Sequence, residues 1–376
     1  MNIYFFGGYR PDYPRNAVLR RGLELAGAGV LECRVRPSHK FWLRYPLLLG
    51  RYAFGLRKER RASAGAGRAF LLVPEFCQKD VPIAKIVSRL TSRLVIFDPL
   101  ASRHETKIVD RQKMPEGSAA ARWNAAIDRR ALRLADLILA DTAAHKEYYC
   151  EEFGVPAEKI EVLPVGFDDR VWKETPPRKS PTTPFVVVFF GSFLPLHGAD
   201  VIIEAARLVG AQDASVEFRF LGSGQTLPAA QKIAESAGLR NVRFKGWLPY
   251  DELARCVAAE ADLCLGIFGK TAKTERVVPH KVFQAMAAGK PVLTLRTPAA
   301  AEFFTHKDNI FFCDRHDPAR LTAAILELKN DAGLRETIAR RGCGLVREKY
   351  NPRALGEMLI KYLNERFERG NSRGGA

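Results

Sequence analysis

Short apolar runs alternate with amphipathic stretches of helical periodicity along the whole chain, and this alternation constrains the fold more than any other feature. The runs are rich in β-branched and aromatic residues and lack polar alternation, so they predict strands that are covered on both faces. Such strands form parallel sheets with helices on each side, which is the α/β, doubly wound class. In the first half the predicted strands are residues 3–6, 31–35, 70–73, 94–97, 137–139 and 160–163.

A proline-rich segment divides the chain into two parts. Residues 174–184 contain four prolines, which neither a helix nor a central strand tolerates, and we interpret them as a linker. The alternation then restarts, with strands predicted at residues 185–190, 217–221, 242–244, 263–267, 292–295 and 310–312. We therefore predict two Rossmann-like domains, over 1–173 and 185–350, and a C-terminal helix and tail over 351–376 that packs back on the first domain. Because ligands bind at the carboxyl ends of parallel strands, we expect a cleft between the domains to hold the substrates.

The composition fits a folded protein with an excess of positive charge. Hydrophobic residues make up 47% of the 376 residues, which excludes wholesale disorder. A net charge of +17 favours a polyanionic or membrane-surface partner. The seven cysteines form no C-x-x-C pair, which indicates reduced thiols rather than disulfides or a zinc site. No run reaches the roughly 18 apolar residues of a membrane span, and the first residues do not read as a signal peptide, so we expect a cytoplasmic protein.

Glycines at strand ends are candidate phosphate-binding turns, because glycine lets backbone N–H groups approach an anion at a helix N-terminus. They follow three predicted strands: Gly7 with Gly8, Gly191 with Ser192, and Gly222 with Gly224. The last pair lacks the third glycine of a dinucleotide-binding loop, since position 227 is Leu, and this argues against a nicotinamide enzyme.

A second group of candidates lies in residues 266–291, where a basic loop leads into a helix. The loop carries Lys270, Lys273 and Arg276, and Lys281 and Gln284 lie three apart on one face of the predicted helix. Cations at the carboxyl end of a strand, close to a helix N-terminus, are suited to a nucleoside diphosphate. The alternative is a solvated basic loop followed by an ordinary amphipathic helix.

The order of several short motifs resembles the donor-binding domain of family 4 glycosyltransferases. These motifs are G-S-F-L-P-L-H-G-A-D at 191–200, F-L-G-S-G at 220–224, V-R-F-K-G-W at 242–247, A-D at 261–262, and P-H-K-V-F-Q-A-M-A-A-G-K-P-V at 279–292. Residues 135–142 and 159–168 are similar to segments that close the acceptor domain of the family. The helix motif Pro-x-Lys-x-x-Gln distinguishes the variant that this chain resembles.

The resemblance implies a GT-B fold and transfer of a sugar, usually with retention of configuration, from a nucleotide-sugar donor. We expect a UDP- or GDP-sugar, a lipid-linked or polysaccharide acceptor, a role in bacterial cell-surface glycan synthesis, and no cofactor or metal. Because the chain has no Asp-x-Asp, catalysis is expected to be metal-independent, with Lys281 stabilising the leaving diphosphate. The implied donor-binding residues are Gly7, Gly8, Gly191, Ser192, His197, Gly198, Gly222, Gly224, Trp247, Lys270, Lys273, Arg276, Gln284 and Glu302.

The chain departs from the family pattern at several of these positions. Gln284 and Arg276 stand where many members carry two glutamates, and an amide can still bind ribose hydroxyls but cannot act as a carboxylate. Ser192 and His197 stand where Arg and Lys are frequent. Where the family often has a histidine near the donor sugar, this chain has Asp98, followed by His104 and Glu105. Asp98 and His104 are the candidates for sugar or acceptor contacts, and a capping residue or a loop ion pair is the alternative for each.

The segment from 34 to 68 carries ten Arg or Lys against the single acid Glu59, interleaved with aromatic and aliphatic residues. This pattern predicts an element that binds the cytoplasmic face of a membrane, and nucleic acid is disfavoured because no nucleic-acid-binding motif is present. The alternative is a helical hairpin that packs on its domain and solvates its arginines. The membrane-facing candidates are Trp42, Arg44, Arg51, Arg57, Lys58, Arg60 and Arg61.

Two other functions remain open at this point. The missing glutamates are compatible with a non-catalytic GT-B scaffold that binds nucleotide or membrane. A GT-B epimerase that acts on a free nucleotide-sugar is the second alternative.

Overall fold

The computed structural model describes residues 1–62, 68–175, 184–314 and 316–373, so most of the predicted linker, residues 176–183, lies outside the described residues. The chain divides into two compact units, one formed by Met1–Pro164 with Asn351–Ala376 and the other by Val165–Tyr350. The second unit thus begins before the predicted domain boundary at residue 173. Each unit contains a parallel sheet with six described strands and flanking helices, which confirms the predicted α/β class.

The sheet of the first unit has the strand order β2-β1-β3-β4-β5-β6. Its strands are β1 (Asn2–Gly7), β2 (Gly29–Arg34), β3 (Ala69–Val73), β4 (Leu94–Phe97), β5 (Leu137–Ala140) and β6 (Ile160–Val162). The helices are α1 (Pro14–Leu25), α2 (Phe41–Ala62), α3 (Val81–Thr91), α4 (Ala119–Leu134), α5 (Ala143–Phe153) and the C-terminal α13 (Pro352–Arg373). Short helical turns cover Gln78–Asp80, Glu105–Asp110 and Ala157–Lys159.

Two glycines allow α13 to lie directly against α1. A Cβ atom added at Gly22 would lie 2.2 Å from the carbonyl oxygen of Pro352, and one added at Gly356 would lie 2.1 Å from the carbonyl oxygen of Gly22. These distances are too short for any side chain, so the two backbones meet without one between them. Leu355, Leu359 and Leu363 bury the rest of this helix face in the core of the first unit.

The sheet of the second unit has the strand order β12-β11-β10-β7-β8-β9. Its strands are β7 (Phe185–Gly191), β8 (Val216–Gly222), β9 (Val242–Lys245), β10 (Leu263–Leu265), β11 (Val292–Leu295) and β12 (Phe311–Cys313). The helices are α6 (Ala199–Gln212), α7 (Leu227–Ser236), α8 (Tyr250–Glu260), α9 (His280–Ala287), α10 (Pro298–Ala301), α11 (Pro318–Asn330) and α12 (Ala332–Lys349). Short helical turns cover Pro195–His197 and Ala272–Glu275.

Each predicted strand overlaps an observed one, and the differences lie at the strand ends. β10 ends at Leu265, two residues before the predicted end. The N–H of Ile267 donates to the side-chain oxygen of Thr294, at 3.1 Å, and no longer to a backbone ladder partner. The carbonyl of Ile267 still accepts from the N–H of Leu295 on β11, at 3.1 Å, and the chain then continues into the basic loop that precedes α9.

Candidate active site

Lys281 is a charged residue of the second unit that is buried without a hydrogen-bond acceptor among the described residues. It lies in the first turn of α9, its side chain is 6% exposed, and no described residue accepts a hydrogen bond from its ammonium group. The Nζ atom lies 3.8 Å from the centroid of the Phe189 ring on β7. Burial holds the pKa of Lys281 well below its ordinary value. A buried ammonium without a hydrogen-bonded acceptor is costly, so this group is prepared to receive an anion.

The backbone turn at the end of β7 lies directly against this ammonium. A Cβ atom added at Gly191 would lie 3.1 Å from Lys281 Nζ, and the φ angle of Gly191 is +140°. The turn after β8 packs on the same segment, because Cβ atoms at Gly222 and Gly224 would lie 2.0 Å from the Gly191 carbonyl oxygen and 1.7 Å from that of Ser192. The three glycines therefore let the two turns meet backbone to backbone next to Lys281.

His197 and Gly198 fix the position of the segment that follows the Gly191 turn. The Nδ1 atom of the buried His197 accepts from the N–H of Leu194 at 3.3 Å, and the ring packs edge-on against Phe189. Gly198 begins α6 with a φ of +66°, and a Cβ there would lie 2.4 Å from the backbone of Phe268. The N–H of Phe268 donates in turn to the His197 carbonyl, at 3.1 Å, so the basic loop is fastened to this turn.

The three loop cations differ in their surroundings. Lys270 is exposed, Lys273 is buried, and Arg276 is half-buried at the end of the helical turn Ala272–Glu275. Lys273 and Arg276 each already have an interaction partner. The loop is thus an ordered part of the unit and not a solvated arm.

Gln284 belongs to a hydrogen-bond network that the sequence did not reveal. Its Nε2 atom donates to the hydroxyl oxygen of Tyr250, at 2.9 Å, and Trp172 Nε1 donates to the same oxygen, also at 2.9 Å. Trp172 is buried and stacks on Phe190 of β7. Burial raises the pKa of Tyr250 to about 12, so its hydroxyl stays protonated. Tyr250 thereby fixes the amide of Gln284 one helical turn beyond Lys281.

Two further donor-binding candidates lie at the surface of the second unit. Trp247 is exposed after β9, and the neighbouring Gly246 carbonyl accepts from the N–H of Gly222 at 3.1 Å. Glu302 is exposed at the end of α10. The structure thus places Trp247 near a glycine turn of the site and gives no contact between Glu302 and Lys281.

In the first unit, Asp98 is engaged by an arginine. Both side chains are buried, and Arg15 donates to the two carboxylate oxygens at 2.8 and 3.2 Å. Burial raises the pKa of Asp98, and the Arg15 charge opposes this shift. Arg15 also donates to the Pro164 carbonyl, at 2.6 Å. This is the ion pair that the sequence left open as an alternative, and it ties α1 to the ends of β4 and β6.

His104 lies near a buried carboxylate and not beside Asp98. Its backbone N–H donates to Asp128 Oδ2 at 2.8 Å. Burial raises the pKa of Asp128 to about 6. The next residue, Glu105, contacts the buried His145 at 3.2 Å, and the other ring nitrogen of His145 lies 2.6 Å from Asp141. These two carboxylates raise the pKa of His145 to about 9 against the effect of burial.

The turn at Gly7 and Gly8 is filled by an internal ion pair. The N–H of Gly8 donates to Asp80 Oδ2 at 2.8 Å, and Arg44 donates to the same oxygen. A Cβ atom at Gly7 would lie 3.1 Å from this oxygen. The turn predicted to hold a phosphate therefore already binds a carboxylate of its own unit, and Arg44, predicted to face a membrane, points to this carboxylate instead.

The remaining membrane-facing candidates lie on α2. Trp42, Arg51 and Arg57 are exposed. The side chains of Lys58, Arg60 and Arg61 lie outside the described residues. None of the described helices combines the length and apolar character that crossing a bilayer requires. In the described part of the chain, no three His, Cys, Asp or Glu side chains cluster as metal ligands would.

Two segments of the chain match models of known protein families. Residues 171–343 match the model of glycosyl transferases group 1, and residues 103–171 match the model of glycosyltransferase family 4. The matched segments include Lys281, Gln284 and all the glycines of the second unit's site.

Two relatives illustrate the range of similar sequences. The lipopolysaccharide core biosynthesis glycosyltransferase LpsD of Rhizobium meliloti is 25% identical over 51% of this chain and 52% of its own length. The putative colanic acid biosynthesis glycosyltransferase WcaL of Salmonella typhimurium is 25% identical over 57% of this chain and 53% of its own length. The chain thus spans about half the length of the curated relatives it matches.

The fold is shared with solved structures over nearly the whole chain. Anabaena HepE, solved in complex with UDP-glucose, is 18% identical and superimposes with a TM-score of 0.68 over 97% of this chain and 100% of its own. Two successive segments match glycosyltransferase models, and the two parallel Rossmann-like sheets give the chain the GT-B fold, so it is similar to GT-B glycosyltransferases of the group 1 and family 4 type.

Proposed function

We propose that this chain transfers a hexosyl group from a UDP-sugar to a lipid-linked or polysaccharide acceptor in cell-surface glycan synthesis. The observation that carries the proposal is the buried ammonium of Lys281, which has no described hydrogen-bond partner and faces the Gly191 turn. The UDP-glucose bound by HepE and the lipopolysaccharide and colanic acid roles of the relatives support the choice of donor and acceptor class.

The proposed chemistry follows from the charge that develops during sugar transfer. When the bond between the anomeric carbon and the diphosphate oxygen breaks, negative charge grows on the leaving phosphate. Lys281 stabilises this charge in a site from which water is largely excluded, where a fixed cation is worth far more than in bulk water. Backbone N–H groups of the Gly191 and Gly222 turns, which meet beside Lys281, are the second source of stabilisation.

Gln284 is the proposed partner of the ribose. Tyr250 accepts from the Nε2 atom of Gln284, so the amide oxygen is left to accept from a hydroxyl group of the ligand. This arrangement performs with a neutral amide what many family members do with a glutamate. Gln284 therefore contributes to donor affinity and does not need to ionise.

We propose that the transfer retains the anomeric configuration and needs no divalent metal. The resemblance to family 4 and the absence of an Asp-x-Asp sequence support both points. Retention is tested by proton NMR of the first product, before mutarotation. Metal independence is tested by turnover in the presence of EDTA, and loss of activity that Mg²⁺ or Mn²⁺ restores would contradict it.

The central test is turnover of UDP-sugars by the wild type and by two lysine variants. Lys281→Met removes the buried charge and retains the length of the stem, and we expect hydrolysis and transfer to fall by on the order of 10²-fold or more. Lys232→Met, at an exposed cation of α7, is the matched control and should change turnover by less than about threefold. Nucleotide binding without turnover of any UDP- or GDP-sugar would indicate a scaffold, and a changed sugar without an acceptor would indicate an epimerase.

We also propose that the protein binds a membrane surface through α2. This helix buries Leu48 and Tyr52 against the sheet and exposes Leu43, Leu47 and Phe54 on its other side. A helix that packs with one apolar face on its own domain has no structural need for a second apolar face. Flanking arginines and an outward apolar stripe together fit the interface of an anionic bilayer.

A further inference from the structure

The strand order of the first unit reverses between β1 and β3. The sheet reads β2-β1-β3-β4-β5-β6, so the chain leaves β1 toward one edge and the later strands extend toward the other. In open α/β sheets, ligands bind in the crevice outside the carboxyl ends of the strands at such a reversal. Residues 8–13, which follow β1, and residues 74–77, which follow β3, border this crevice. We therefore expect a ligand of the first unit to contact these two segments.

Two buried oxygen atoms at this edge of the sheet have no donor among the described residues. Glu75, two residues after β3, is 3% exposed, and its Oε2 atom accepts no hydrogen bond from the described part of the chain. Asn16, in the first turn of α1, is 2% exposed, and the same holds for its Oδ1 atom. Asn16 Nδ2 donates to the Arg10 carbonyl at 2.7 Å, so the amide is held in place while its oxygen stays unused. Buried polar atoms without a partner are rare and costly, and a ligand that supplies the partner is a physical reason to retain them.

The carboxyl group of Glu75 is protonated at neutral pH. Burial raises its pKa to about 9, and the charge of Asp98 adds to this shift, whereas hydrogen bonding to its own backbone and to the Asn16 amide opposes it. Arg15 does not neutralise Glu75, because it already donates to both carboxylate oxygens of Asp98. A protonated carboxyl group both donates and accepts hydrogen bonds, as a sugar hydroxyl does.

The next residue, Phe76, exposes an aromatic ring at the same edge. Its side chain is 48% exposed, and its φ angle of +58° lies in the left-handed region that bulky residues avoid. Tyr13, the residue before α1, packs against it, with the ring centroids 5.7 Å apart and the ring planes at 80°. Unfavourable backbone conformations of this kind concentrate at ligand sites. Phe76 thus presents a braced aromatic surface beside the buried carboxyl group of Glu75.

We propose that Phe76, Glu75 and Asn16 form a subsite for one pyranose ring of the acceptor. The proposal rests on the glycosyl transfer proposed above and names the part of the acceptor that the first unit recognises. The C–H face of the ring packs on Phe76, and one hydroxyl group accepts from the Glu75 carboxyl group and donates to Asn16 Oδ1. A phosphate group has no donor for the Asn16 oxygen, and an aliphatic chain has no partner for either polar group. A neutral sugar satisfies all three side chains.

The experiment measures binding of simple glycosides to the full chain by titration in saturation-transfer-difference NMR. The probes are the methyl glycosides of glucose, galactose, mannose and N-acetylglucosamine, and we expect at least one to bind the wild type. Phe76→Ala should weaken binding of this glycoside by about tenfold. Glu75→Leu retains a similar volume without a hydrogen-bonding group and should weaken it by about tenfold or more. Glu75→Gln keeps a neutral group that donates and accepts, and it should stay within about threefold of the wild type.

Removal of the ligand hydroxyl tests the same contact from the other side. Among the monodeoxy derivatives of the glycoside that binds, one should bind the wild type as weakly as the intact glycoside binds Glu75→Leu. This derivative should bind Glu75→Leu with little further loss, because both changes remove the same hydrogen bond. Additive losses for every derivative would show that Glu75 contacts no hydroxyl of the ligand.

Two controls separate this subsite from the donor site. Leu90→Ala shortens a side chain that is 80% exposed near the end of α3, where the chain returns to the amino ends of the strands, and it should bind the glycoside as the wild type does. UDP affinity and hydrolysis of UDP-sugar without glycoside should be the same in every variant. A wild type that binds no UDP and hydrolyses no UDP-sugar would contradict the proposed function, whereas the subsite is measured by glycoside binding alone.

Three further outcomes would overturn the proposal. If the wild type bound UDP but none of the four glycosides, there would be no sugar subsite in the first unit. Unchanged glycoside binding by Glu75→Leu would make the buried carboxyl group a structural feature. A loss of UDP affinity in Phe76→Ala, with glycoside binding intact, would assign the exposed ring to the nucleotide.

Discussion

The buried ammonium of Lys281 leads to a prediction in which stability and activity change in opposite directions. We expect Lys281→Met to stabilise the empty protein while it removes turnover. The lysine is almost fully buried and has no described acceptor, so the folded chain carries the desolvation cost of an unpaired charge or of a neutralised amine. Methionine fills a similar volume without that cost.

The magnitude follows from the groups around the side chain. An unsatisfied buried polar group costs about 1 to 3 kcal/mol, and more when it is charged. The Phe189 ring, 3.8 Å from Nζ, offsets part of this, since a desolvated cation–π contact is worth about 2 kcal/mol. Because the charged group costs more than the lower end of this range, we expect a net gain of about 1 kcal/mol, which for a unit of this size raises the melting temperature by roughly 2 to 4 °C.

The assay is thermal unfolding with and without UDP. Without nucleotide, Lys281→Met should melt above the wild type, and with saturating UDP the order should reverse or the gap should close, because only the wild type gains the ion pair with the diphosphate. Lys232→Met, at an exposed position of α7, should melt with the wild type in both conditions. A Lys281→Met protein that is less stable when empty would show that the ammonium already has a partner, and the reasoning would fail.

Three further predictions test other parts of the site. A diphosphate favours the charged form of Lys281, whose pKa is depressed in the empty site, so UDP binding takes up a proton. The Kd for UDP should therefore rise by up to tenfold per pH unit between the pKa of Lys281 in the free protein and its pKa in the complex. Calorimetry in buffers of different ionisation enthalpy measures this dependence, and Lys281→Met should lose it. Tyr250→Phe removes the hydroxyl oxygen that accepts from both Gln284 and Trp172, so the KM for the UDP-sugar should rise about tenfold with a smaller change in kcat. A roughly tenfold fall in kcat with an unchanged KM would instead place Tyr250 in the chemical step. Gly224→Ala forces a Cβ to within 1.7 Å of a carbonyl oxygen and should abolish UDP binding. Gly238→Ala is the control, because a Cβ there meets nothing within 4 Å, and it should cost only about 1 kcal/mol of stability in urea denaturation.

The buried triad of the first unit makes a separate prediction for pH. His145 has its pKa raised to about 9 by Asp141 and Glu105, above its ordinary value near 6.5. A group with a raised folded pKa stabilises the protein fully below the unfolded pKa, and this contribution is lost as pH rises through about 9. The urea midpoint should therefore fall between pH 7 and 10, and His145→Gln should flatten this slope. A slope that is unchanged in His145→Gln would assign it to other groups.

The sequence was sufficient for the architecture because the signals of a parallel α/β fold are local. A buried strand such as residues 94–97 is a continuous apolar run wherever it sits in the sheet, and β4 occupies those residues. The interior of each strand was therefore predictable, and only the ends, such as that of β10, depended on tertiary contacts.

The pairs that decide the role of a charged residue were not predictable in this way. Arg15 and Asp98 are 83 positions apart, and Glu105 reaches His145 across 40 positions, so no spacing rule connects them. Tyr250 is a comparable case, since its phenol joins Trp172 and Gln284 across long separations.

The glycine turns of the two units show why one sequence signal leads to two different sites. Both follow the first strand of a parallel sheet, and both present backbone N–H groups to the space above it. In the first unit the N–H of Gly8 donates to Asp80, whose negative charge is balanced by Arg44. In the second unit the Gly191 turn faces the ammonium of Lys281, with no described carboxylate bonded to it. A phosphate would meet a carboxylate at the first turn and a cation at the second, which supports the proposal that the diphosphate of the donor binds in the second unit.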